Sequence, residues 1–274
     1  MIDLHTHTTA SDGRCAPAEL VARAAAAGVK VLAVTDHDTT AGCDAAEAAC
    51  AAAGIEFVPG IEITSIVDGE DVHVLGYFID RRSTALGTLL TEQRQHRVNR
   101  LREIVRRLAA RGVTLDADAI LQPAVADSSK AVGRPWVARA LVAAGHVKTT
   151  DEAFRLWLGR GSAAFVPRVG PRPADVFSLI RGVGGVSSLA HPGLLKHDDW
   201  IRQFVASGLD ALEAYHSDHD ANATARYLAM ADRLQLLVSG GSDYHGGEEH
   251  GPARLGGVDL PREAFEALKA CAGT

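Results

Sequence analysis

The chain opens with Ile2-Asp3-Leu4-His5-Thr6-His7, a short segment that ends in two histidines. Side chains alternate between the two faces of a β-strand, so His5 and His7 share one face and Leu4 and Thr6 share the other. Neutral imidazole is the commonest protein ligand for a transition metal, and here two imidazoles point to the same place. For this pair alone, an incidental position near the N-terminus explains the residues equally well. The recurrence of the pattern further along the chain decides between these interpretations.

Strands and helices alternate through most of the sequence. An alanine-rich helix is predicted at 18–27, and buried strands are predicted at 31–35, 55–63 and 72–78. After an interruption, helices are predicted near 174–181, 200–207 and 223–234, with strands at 185–190, 209–215 and 236–239. Strands that alternate with helices imply a mostly parallel sheet, and about seven such units favour a closed barrel over an open sheet. The predicted fold is therefore an α/β barrel.

Polar residues that can bind metals recur at the ends of these strands. Functional groups gather at the C-terminal ends of the strands in parallel barrels, so these side chains are expected to meet. The candidates are His5, His7, Asp12, His37, Glu62, His73, His191, Asp243 and His245. Taken singly, His73 could be a core histidine, Asp12 a turn residue and Asp243 a helix cap. Nine ligands together suit two or three ions, especially if Glu62 bridges them.

The alternation stops after Asp80. Apolar residues at helical spacing predict one long amphipathic helix over 86–111, and shorter helices follow at 137–144 and 152–158. This pattern predicts a helical subdomain, residues 81–165, inserted into a barrel domain formed by residues 1–80 and 166–274. We expect the inserted subdomain to act as a lid over the substrate.

Charge is distributed unevenly along the chain. The net charge is −6, yet residues 81–172 contain 17 basic and 7 acidic residues, a net charge of +10, which leaves −16 for the remainder. A solvated helical surface would explain this segment. The functional interpretation is a basic lid that faces an anionic substrate.

Composition excludes several classes of protein. The 274 residues are 47% hydrophobic, enough for a large core, but they contain no run of eighteen apolar residues and no export sequence. We therefore predict a cytoplasmic protein with no membrane association, and no obligate protein partner is evident. The four cysteines form no CxxC pair and no zinc-finger spacing, which favours reduced thiols over disulfides.

The ordered motifs resemble those of the PHP (polymerase and histidinol phosphatase) family over nearly the whole chain. They are His5-Thr6-His7 with Asp12-Gly13, Thr35-Asp36-His37-Asp38, Gly60-Ile61-Glu62, Val72-His73, Ala190-His191-Pro192 and Gly241-Ser242-Asp243-Tyr244-His245. The helical insertion and Gly133-Arg134-Pro135 resemble the nucleotide phosphoesterases of the family, which include 3′,5′-nucleotide bisphosphate phosphatases and a 5′ to 3′ exoribonuclease. The resemblance implies a distorted (β/α)7 TIM-like barrel with a trinuclear site, usually of manganese, iron or zinc.

The resemblance also implies which residues hold each ion. His5, His7, Glu62 and Asp243 would hold the first, Asp12, His37 and His245 the second, and Glu62, His73 and His191 the third. Six of these residues are the implied catalytic set: Asp12, His37, Glu62, His191, Asp243 and His245. One departure is Trp136, because these relatives commonly have a histidine after Gly-Arg-Pro. This departure leaves the metal ligands intact but leaves substrate choice open.

The ligand set has a chemical consequence. Three divalent ions with three carboxylates and neutral histidines would leave the site positive by about three charges, which attracts phosphate. Metal-bound hydroxide would attack phosphorus, so no side-chain nucleophile is required. His216, at another strand end, is predicted to support the metal ligands from behind, to act as a proton donor or to contact substrate, although a surface or packing role explains it equally well. The other histidines are interpreted as structural or exposed: His96, His146, His197, His219 and His250.

The sequence therefore predicts a phosphoesterase that depends on two to three divalent ions and acts on a 3′,5′-nucleoside bisphosphate or a short RNA 5′ end. A substrate with a second phosphate needs a second anion site, and Arg134 is the predicted residue, with assistance from Lys130 or Arg139. Pairing of Arg134 within the helical subdomain is the structural alternative. A histidinol-phosphate-like phosphomonoesterase is a second candidate, against which the basic insertion argues. A non-catalytic PHP module is a third, against which the complete ligand set argues.

Overall fold

The computed structural model describes residues 1–127, 130, 132–247 and 254–273. Seven strands lie in these residues: β1 (Ile2–Asp3), β2 (Val31–Val34), β3 (Glu56–Val67), β4 (Glu70–Tyr77), β5 (Val186–Leu189), β6 (Ala211–His216) and β7 (Leu237–Gly241). The helices of the first half are α1 (Pro17–Ala26), α2 (Cys43–Ala53), α3 (Thr84–Ala109), α4 (Ala117–Ala126), α5 (Arg134–Ala143) and α6 (Thr150–Ala153), which continues as a π-helical turn, Phe154–Leu158. Those of the second half are α7 (Pro173–Gly182), α8 (Pro192–Leu195), α9 (Asp198–Ala206), α10 (Ala221–Leu234) and α11 (Arg262–Cys271).

The strands form one sheet in chain order, β1 to β7, which curves into a nearly closed barrel. The two edges meet through backbone hydrogen bonds: the Leu4 amide donates to the Gly240 carbonyl at 3.2 Å, and the Asp243 amide donates to the His5 carbonyl at 2.8 Å. A parallel bridge between Thr6 and Tyr244 extends this seam. The predicted TIM-like α/β barrel is therefore confirmed. Its closure places the first and last ligand motifs of the chain side by side.

One strand departs from the parallel pattern. β3 and β4 form an antiparallel hairpin through Asp68 and Gly69, which both have positive φ, as a two-residue type I′ turn requires. β4 is also antiparallel to β5, so it runs against the other strands of the barrel. His73 was expected at a strand end but lies within β4, paired with Thr64 of β3. It reaches the functional end of the barrel because the N-terminal half of a reversed strand lies where its neighbours end.

The predicted interruption of the barrel corresponds to helices α3 to α6. The predicted helix 86–111 is observed as α3, and α5 begins earlier than predicted, so Arg134 lies in its first turn. A separate hydrophobic cluster joins the second half of α3 to α4, α5 and the π-helical turn, with Leu108, Leu141 and Leu158 fully buried. The first half of α3 instead packs against the barrel through Leu86 and Leu90. α3 therefore connects the two cores, and the boundaries at residues 81 and 165 stay a prediction.

The structure also bears on the predictions about the cysteines and about membrane-spanning helices. Cys15, Cys43, Cys50 and Cys271 are free thiols, and Cys43 and Cys50 pack in the core of α1, α2 and β2. Among the helices of the described residues, none combines the length and the apolar character that crossing a bilayer requires. His250 lies outside the described residues.

Candidate metal centre

The nine predicted ligands converge at one end of the barrel. His5 and His7 follow β1, Asp12 and His37 lie in the loops after β1 and β2, and Glu62 lies within β3. His73 comes from β4, His191 follows β5, and the loop after β7 supplies Asp243 and His245. Residues from both ends of the chain meet because the barrel closes between β1 and β7.

Glu62 lies at the centre of the cluster and is fully buried. Its Oε2 is 3.4 Å from His5 Nε2, 3.3 Å from His7 Nε2 and 3.0 Å from His37 Nδ1. Its Oε1 is 2.7 Å from His73 Nδ1 and 3.2 Å from His191 Nε2. One carboxylate therefore faces five imidazoles, the arrangement expected of a bridging ligand.

Two further carboxylates flank this centre. Asp243 Oδ1 is 3.3 Å from His5 Nε2, 3.0 Å from His7 Nε2 and 3.5 Å from His245 Nδ1. Asp12 Oδ1 is 3.3 Å from His245 Nε2, and its Oδ2 is 3.8 Å from His37 Nε2. Each carboxylate thus completes a group of side chains whose ligand atoms all lie within 4.8 Å of one another.

Hydrogen bonding in the described residues leaves many of these atoms unsatisfied. Buried polar atoms are normally paired, because an unpaired one costs about 1–3 kcal/mol. Seven buried atoms of the site form no hydrogen bond of acceptable geometry although their neighbours are close: His5 Nε2, His7 Nδ1, His7 Nε2, His37 Nδ1, Glu62 Oε2, His73 Nδ1 and His216 Nε2. These ligand atoms are therefore buried close together without satisfying one another. Imidazole and carboxylate donors in this arrangement fit divalent transition ions.

Comparison with known proteins agrees with this geometry. The family model described as "PHP domain" matches residues 3–126. A 5′-3′ exoribonuclease of Haemophilus influenzae is 36% identical, over 89% of this chain and 89% of its own length. A 3′,5′-nucleoside bisphosphate phosphatase of Chromobacterium violaceum is 34% identical, over 95% of this chain and 92% of its own length.

The chain belongs to the PHP family. A solved structure of a candidate metal-dependent phosphoesterase from Bifidobacterium adolescentis superimposes with a TM-score of 0.90 at 32% identity, covering 98% of this chain and 96% of that one. This PHP protein is thus an enzyme, a metal-dependent phosphoesterase, and its histidine and carboxylate clusters indicate divalent metals as cofactors.

The carboxylates of the PHP site are ionised in the metal-free chain. Burial by itself would raise the pKa of Glu62, but positive charge on His37, His73 and His5 holds it well below the usual range. The same opposition acts on Asp243, where His5 and His245 outweigh burial and lower the pKa. With Asp12, whose pKa is also lowered, the site holds one fully buried and two partly exposed negative charges, which require positive partners, either protons on imidazole or metal ions.

Two histidines of the site, His245 and His7, have pKa values shifted in opposite directions. Burial would lower the pKa of His245, but the charges of Asp12 and Asp243 raise it to about 10. For His7, burial and the positive charge of His245 lower the pKa to about 4. His7 is thus a neutral imidazole near pH 7, whereas His245 must lose a proton before it can bind a metal.

Three of the seven non-glycine residues with positive φ in the described part of the chain lie at this site. Asp38, His191 and Asp243 have positive φ values of 50°, 27° and 55°, in a region that non-glycine residues seldom occupy. Each is a site residue or the neighbour of one. Strained residues persist where surrounding contacts determine their conformation, and they cluster at active sites.

The observed groups differ in detail from the implied ligand sets. His7 groups with Asp12, His37 and His245, and His191 groups with His5 and Asp243. Glu62 groups with His5 and His7 on one side and with His37 and His73 on the other, which agrees with a bridging role. The division of nine ligands among individual ions therefore stays a prediction.

Glu213 belongs to the site but was missed by sequence reasoning. It is fully buried in β6, its Oε1 is 2.9 Å from His5 Nδ1, and its Oε2 accepts a hydrogen bond from the His191 amide at 2.7 Å. A carboxylate on the far nitrogen of an imidazole fixes the tautomer that presents the other nitrogen to a metal. The indication available in the sequence was an acidic residue, Glu213, flanked by apolar residues within the predicted strand 209–215.

His216 lies beside Asp243 and groups with His5 and Glu213. Its side chain is buried, with Nε2 3.7 Å from Asp243 Oδ2, and its Nδ1 accepts a hydrogen bond from the Asp218 amide at 3.1 Å. It lies behind Asp243 and lines none of the described cavities around the site. The geometry supports the predicted role of His216 behind the metal ligands, and its roles as proton donor or substrate contact stay predictions.

Proposed function

We propose that this enzyme hydrolyses a phosphate ester of a nucleotide, either a 3′,5′-nucleoside bisphosphate or the 5′ end of a short RNA. One observation carries the proposal: candidate metal ligands and arginines face each other across a cavity of about 140 Å³. The ligands that line it are Asp12, His37 and His73, and the arginines are Arg97, Arg134 and Arg168. A substrate in this cavity would meet the metal centre and a second cationic group.

The arginine side of the cavity carries excess positive charge. Arg97 donates to Asp38 through Nε at 2.7 Å, and Arg168 Nε and Arg134 Nη2 lie 3.3 and 3.6 Å from Asp71 Oδ2. Arg100 lies nearby, so the positive charges of four guanidinium groups are balanced by only two carboxylates, those of Asp38 and Asp71.

This excess charge appears in the arginine pKa values. Burial and the charge of Arg134 lower the pKa of Arg100 to about 9, and burial and the charge of Arg97 lower that of Arg168 to about 10. A bound anion would relieve this repulsion, because an opposite charge favours the ionised form. The arginine side of the cavity is therefore suited to a phosphate.

Arg134 occupies a position suited to this role. Its guanidinium lies 5.7 and 6.0 Å from the ring centroids of Phe154 and Phe165, and it donates to the Leu158 carbonyl at 3.4 Å. These contacts hold the group at the cavity wall, where its charge is only partly compensated by Asp71. Arg168, which sequence reasoning missed, faces the same space.

Cavity sizes suit a nucleotide. The 140 Å³ cavity accommodates a phosphate group but not a nucleoside. A second cavity of about 290 Å³, lined by Asp243 and His245, shares Asp12, Pro135 and Phe154 with the first. The two together provide room for a nucleoside beside the metal ligands. The insertion contributes Arg134, Pro135 and Phe154, so we propose that it acts as a lid.

Each group then has a defined part in hydrolysis. The nine ligands would hold two to three manganese, iron or zinc ions, which when bound polarise phosphoryl oxygens and lower the pKa of water. Glu213 orients His5 through the far imidazole nitrogen. Arg134 and Arg168 bind the phosphate that is not cleaved. The catalytic set remains Asp12, His37, Glu62, His191, Asp243 and His245.

The relatives support the proposal of a nucleotide substrate, because one is named for a nucleoside bisphosphate and one for RNA. A phosphate-release screen tests it, with nucleoside monophosphates, 3′,5′-nucleoside bisphosphates, a short 5′-phosphorylated RNA and histidinol phosphate as substrates. Metal content is measured on the same sample. Preference for histidinol phosphate would support the phosphomonoesterase alternative, and no turnover by fully metallated protein would support the non-catalytic alternative.

The Arg134→Ala variant tests the second phosphate site. We expect it to weaken transition-state binding of a bisphosphate by roughly 1.5–3 kcal/mol, as for a charge-assisted hydrogen bond, and to spare simple phosphomonoesters. This corresponds to a fall in kcat/KM of roughly 10- to 150-fold. Arg106→Ala is the matched control, because Arg106 is exposed and pairs only with Glu103 among the described residues. Equal losses on both substrate types with unchanged metal content would refute the assignment.

A further inference from the structure

Two cavities that the proposed chemistry does not use lie along helix α5. The first, the Trp136 cavity, has a volume of about 420 Å³ and is lined by Ile120, Pro123, Lys130, Trp136 and Arg139 among others. The second, the Lys148 cavity, has a volume of about 410 Å³ and is lined by Arg14, Arg139, Val142, Lys148 and Asp151 among others. Arg139 belongs to both walls, so the two cavities adjoin.

The loop between β1 and α1 connects these cavities to the metal centre. The cavities of about 140 and 290 Å³ beside the candidate ligands are the inner cavities, and the Trp136 and Lys148 cavities are the outer cavities. Ser11 and Asp12 of this loop line the smaller inner cavity, whereas Thr9 and Arg14 line the outer cavities. The Trp136 indole nitrogen donates to the Ser11 carbonyl at 3.3 Å, so the indole stands at the border between the centre and the Trp136 cavity. A chain that leaves the metal centre past this loop would enter the outer cavities.

The same order appears along helix α5. Pro135 lines the inner cavities, Trp136 and Arg139 line the Trp136 cavity, and Ala143 lines the Lys148 cavity. At a rise of 1.5 Å per residue, these positions span about 12 Å of helix. The outer cavities therefore follow one another along a single direction away from the centre.

The chemistry of these walls matches a nucleic-acid strand. Proteins bind single strands with a positive groove that follows the phosphates and with aromatic side chains on which bases stack. Lys130, Arg139 and Lys148 form no ion pair within the described residues, so their charges are available to an anion. Burial lowers the pKa of Arg139, a further cost that a bound phosphate would offset. Trp136 supplies the aromatic surface.

Size distinguishes a strand from a single nucleotide. A nucleoside bisphosphate is accommodated by the inner cavities of about 140 and 290 Å³ and leaves both outer cavities empty. Each outer cavity is within the range of volumes that hold a drug-sized ligand, so each has room for about one nucleoside.

We propose that the Trp136 and Lys148 cavities bind the nucleotides of an oligonucleotide beyond the one at the metal centre. This inference rests on the proposed function and narrows its substrate to an oligonucleotide. Trp136 stacks on a base and Arg139 binds a backbone phosphate. The tryptophan that departs from the common histidine of the relatives thus has a role in substrate choice.

The test compares two substrates in metal-replete enzyme, a 5′-phosphorylated hexa-adenylate RNA and adenosine 3′,5′-bisphosphate. Arg139→Gln should lower kcat/KM for the hexamer at least tenfold more than for the bisphosphate. It should also reduce the slope of log Kd against log salt for the hexamer by about 0.7, the value for one single-strand phosphate contact. Arg111→Gln is the control, because Arg111 is exposed and lines none of these cavities.

Two substitutions at Trp136 separate stacking from structure. Trp136→Phe keeps an aromatic ring but loses the hydrogen bond to Ser11, whereas Trp136→Leu loses both. Stacking predicts that hexamer binding falls by roughly 5- to 150-fold in Trp136→Leu and is largely retained in Trp136→Phe. Equal losses in the two variants would assign Trp136 a structural role and overturn its stacking role.

The outcomes distinguish this inference from the proposed function. If Arg139→Gln matches Arg111→Gln on the hexamer, or if it harms both substrates equally, the oligonucleotide site is refuted while bisphosphate hydrolysis stands. If the hexamer binds in an Arg139-dependent way but no substrate releases phosphate, the site stands and the proposed function fails. If the hexamer does not bind and Arg139→Gln abolishes self-association measured by light scattering, the cavities are a contact between copies of this chain and the inference is wrong.

Discussion

Replacement of Arg97 by methionine should destabilise the protein and disturb two parts of the active site. Arg97 reaches from α3 into the barrel, where its side chain is 8% exposed and pairs through Nε and Nη2 with the fully buried Asp38. Its Nη1 donates to the Val132 carbonyl at 3.0 Å. Asp38 follows the candidate ligand His37, and Val132 precedes Gly133-Arg134, so one guanidinium supports both.

The magnitude follows from what remains after the substitution. Removal of one partner of a buried ion pair typically costs about 3–5 kcal/mol, because the other charge stays buried. Asp38 would keep the Thr64 amide as a donor at 2.9 Å and Arg168 Nη1 at 3.8 Å. These contacts place the expected loss near the lower end, about 3 kcal/mol. Methionine retains most of the side-chain volume, which limits any contribution from a cavity.

Urea unfolding followed by circular dichroism measures this loss in metal-free protein. Arg172→Met is the matched control, because it breaks an exposed pair with Asp175, and its effect should be much smaller. Arg97→Met should also lower kcat/KM, since His37 and Arg134 lose their common support. A loss below about 1 kcal/mol, the range of exposed pairs, would refute the reasoning. Unchanged activity in a destabilised variant would refute the positioning role alone.

Three further predictions concern the centre itself. Elemental analysis should find two to three ions per chain, with His73→Ala and His191→Ala each mainly depleting one; at most one ion in replete wild type would contradict this. Turnover in 18O-water should place one label in the released phosphate, detected by mass spectrometry, because water rather than a side chain attacks; a trapped phosphoenzyme would be the contrary result. In the metal-free chain, burial would lower the pKa of His245, but Asp12 and Asp243 raise it from 6.5 to about 10. The stabilisation of the folded state by protonated His245 is therefore complete below about pH 6.5 and is lost as the pH rises through about 10. Metal binding at pH 7.5 should therefore release a proton from His245, and titration calorimetry in two buffers of different ionisation enthalpy measures it; equal heats in both would exclude this proton.

Local patterns were enough to predict the barrel and to find the candidate ligands. His5 and His7 share a face because strand side chains alternate, and the loops after β2, β5 and β7 lie at one end because parallel strands end together. These relations depend on spacing within a few residues of each ligand. They predict that the nine side chains meet, and the structure brings them into groups whose ligand atoms lie within 4.8 Å of one another.

The direction of strand β4 could not be predicted from local sequence patterns. The apolar run around His73 predicted a strand, but its direction depends on the Asp68-Gly69 turn and on pairing with both β3 and β5. The alternation of strands with helices predicted a mostly parallel sheet, which the structure has, but it did not indicate that β4 is the reversed strand. His73 still reaches the centre, since reversal moves its half of the strand to the same end.

The sequence by itself determined the fold class, the identity of the candidate ligands and the basic character of the insertion. Only the tertiary structure decided which distant residues support them. Glu213 touches His5 across 208 positions in the sequence, Arg97 touches Asp38 across 59, and Arg168 enters the cavity from the segment between the π-helical turn and α7. Periodicity records which face of an element is buried, but it contains no information about which side chain of another element packs against that face. That choice follows from barrel closure and from the packing of α3 against β3, and both are properties of the whole chain.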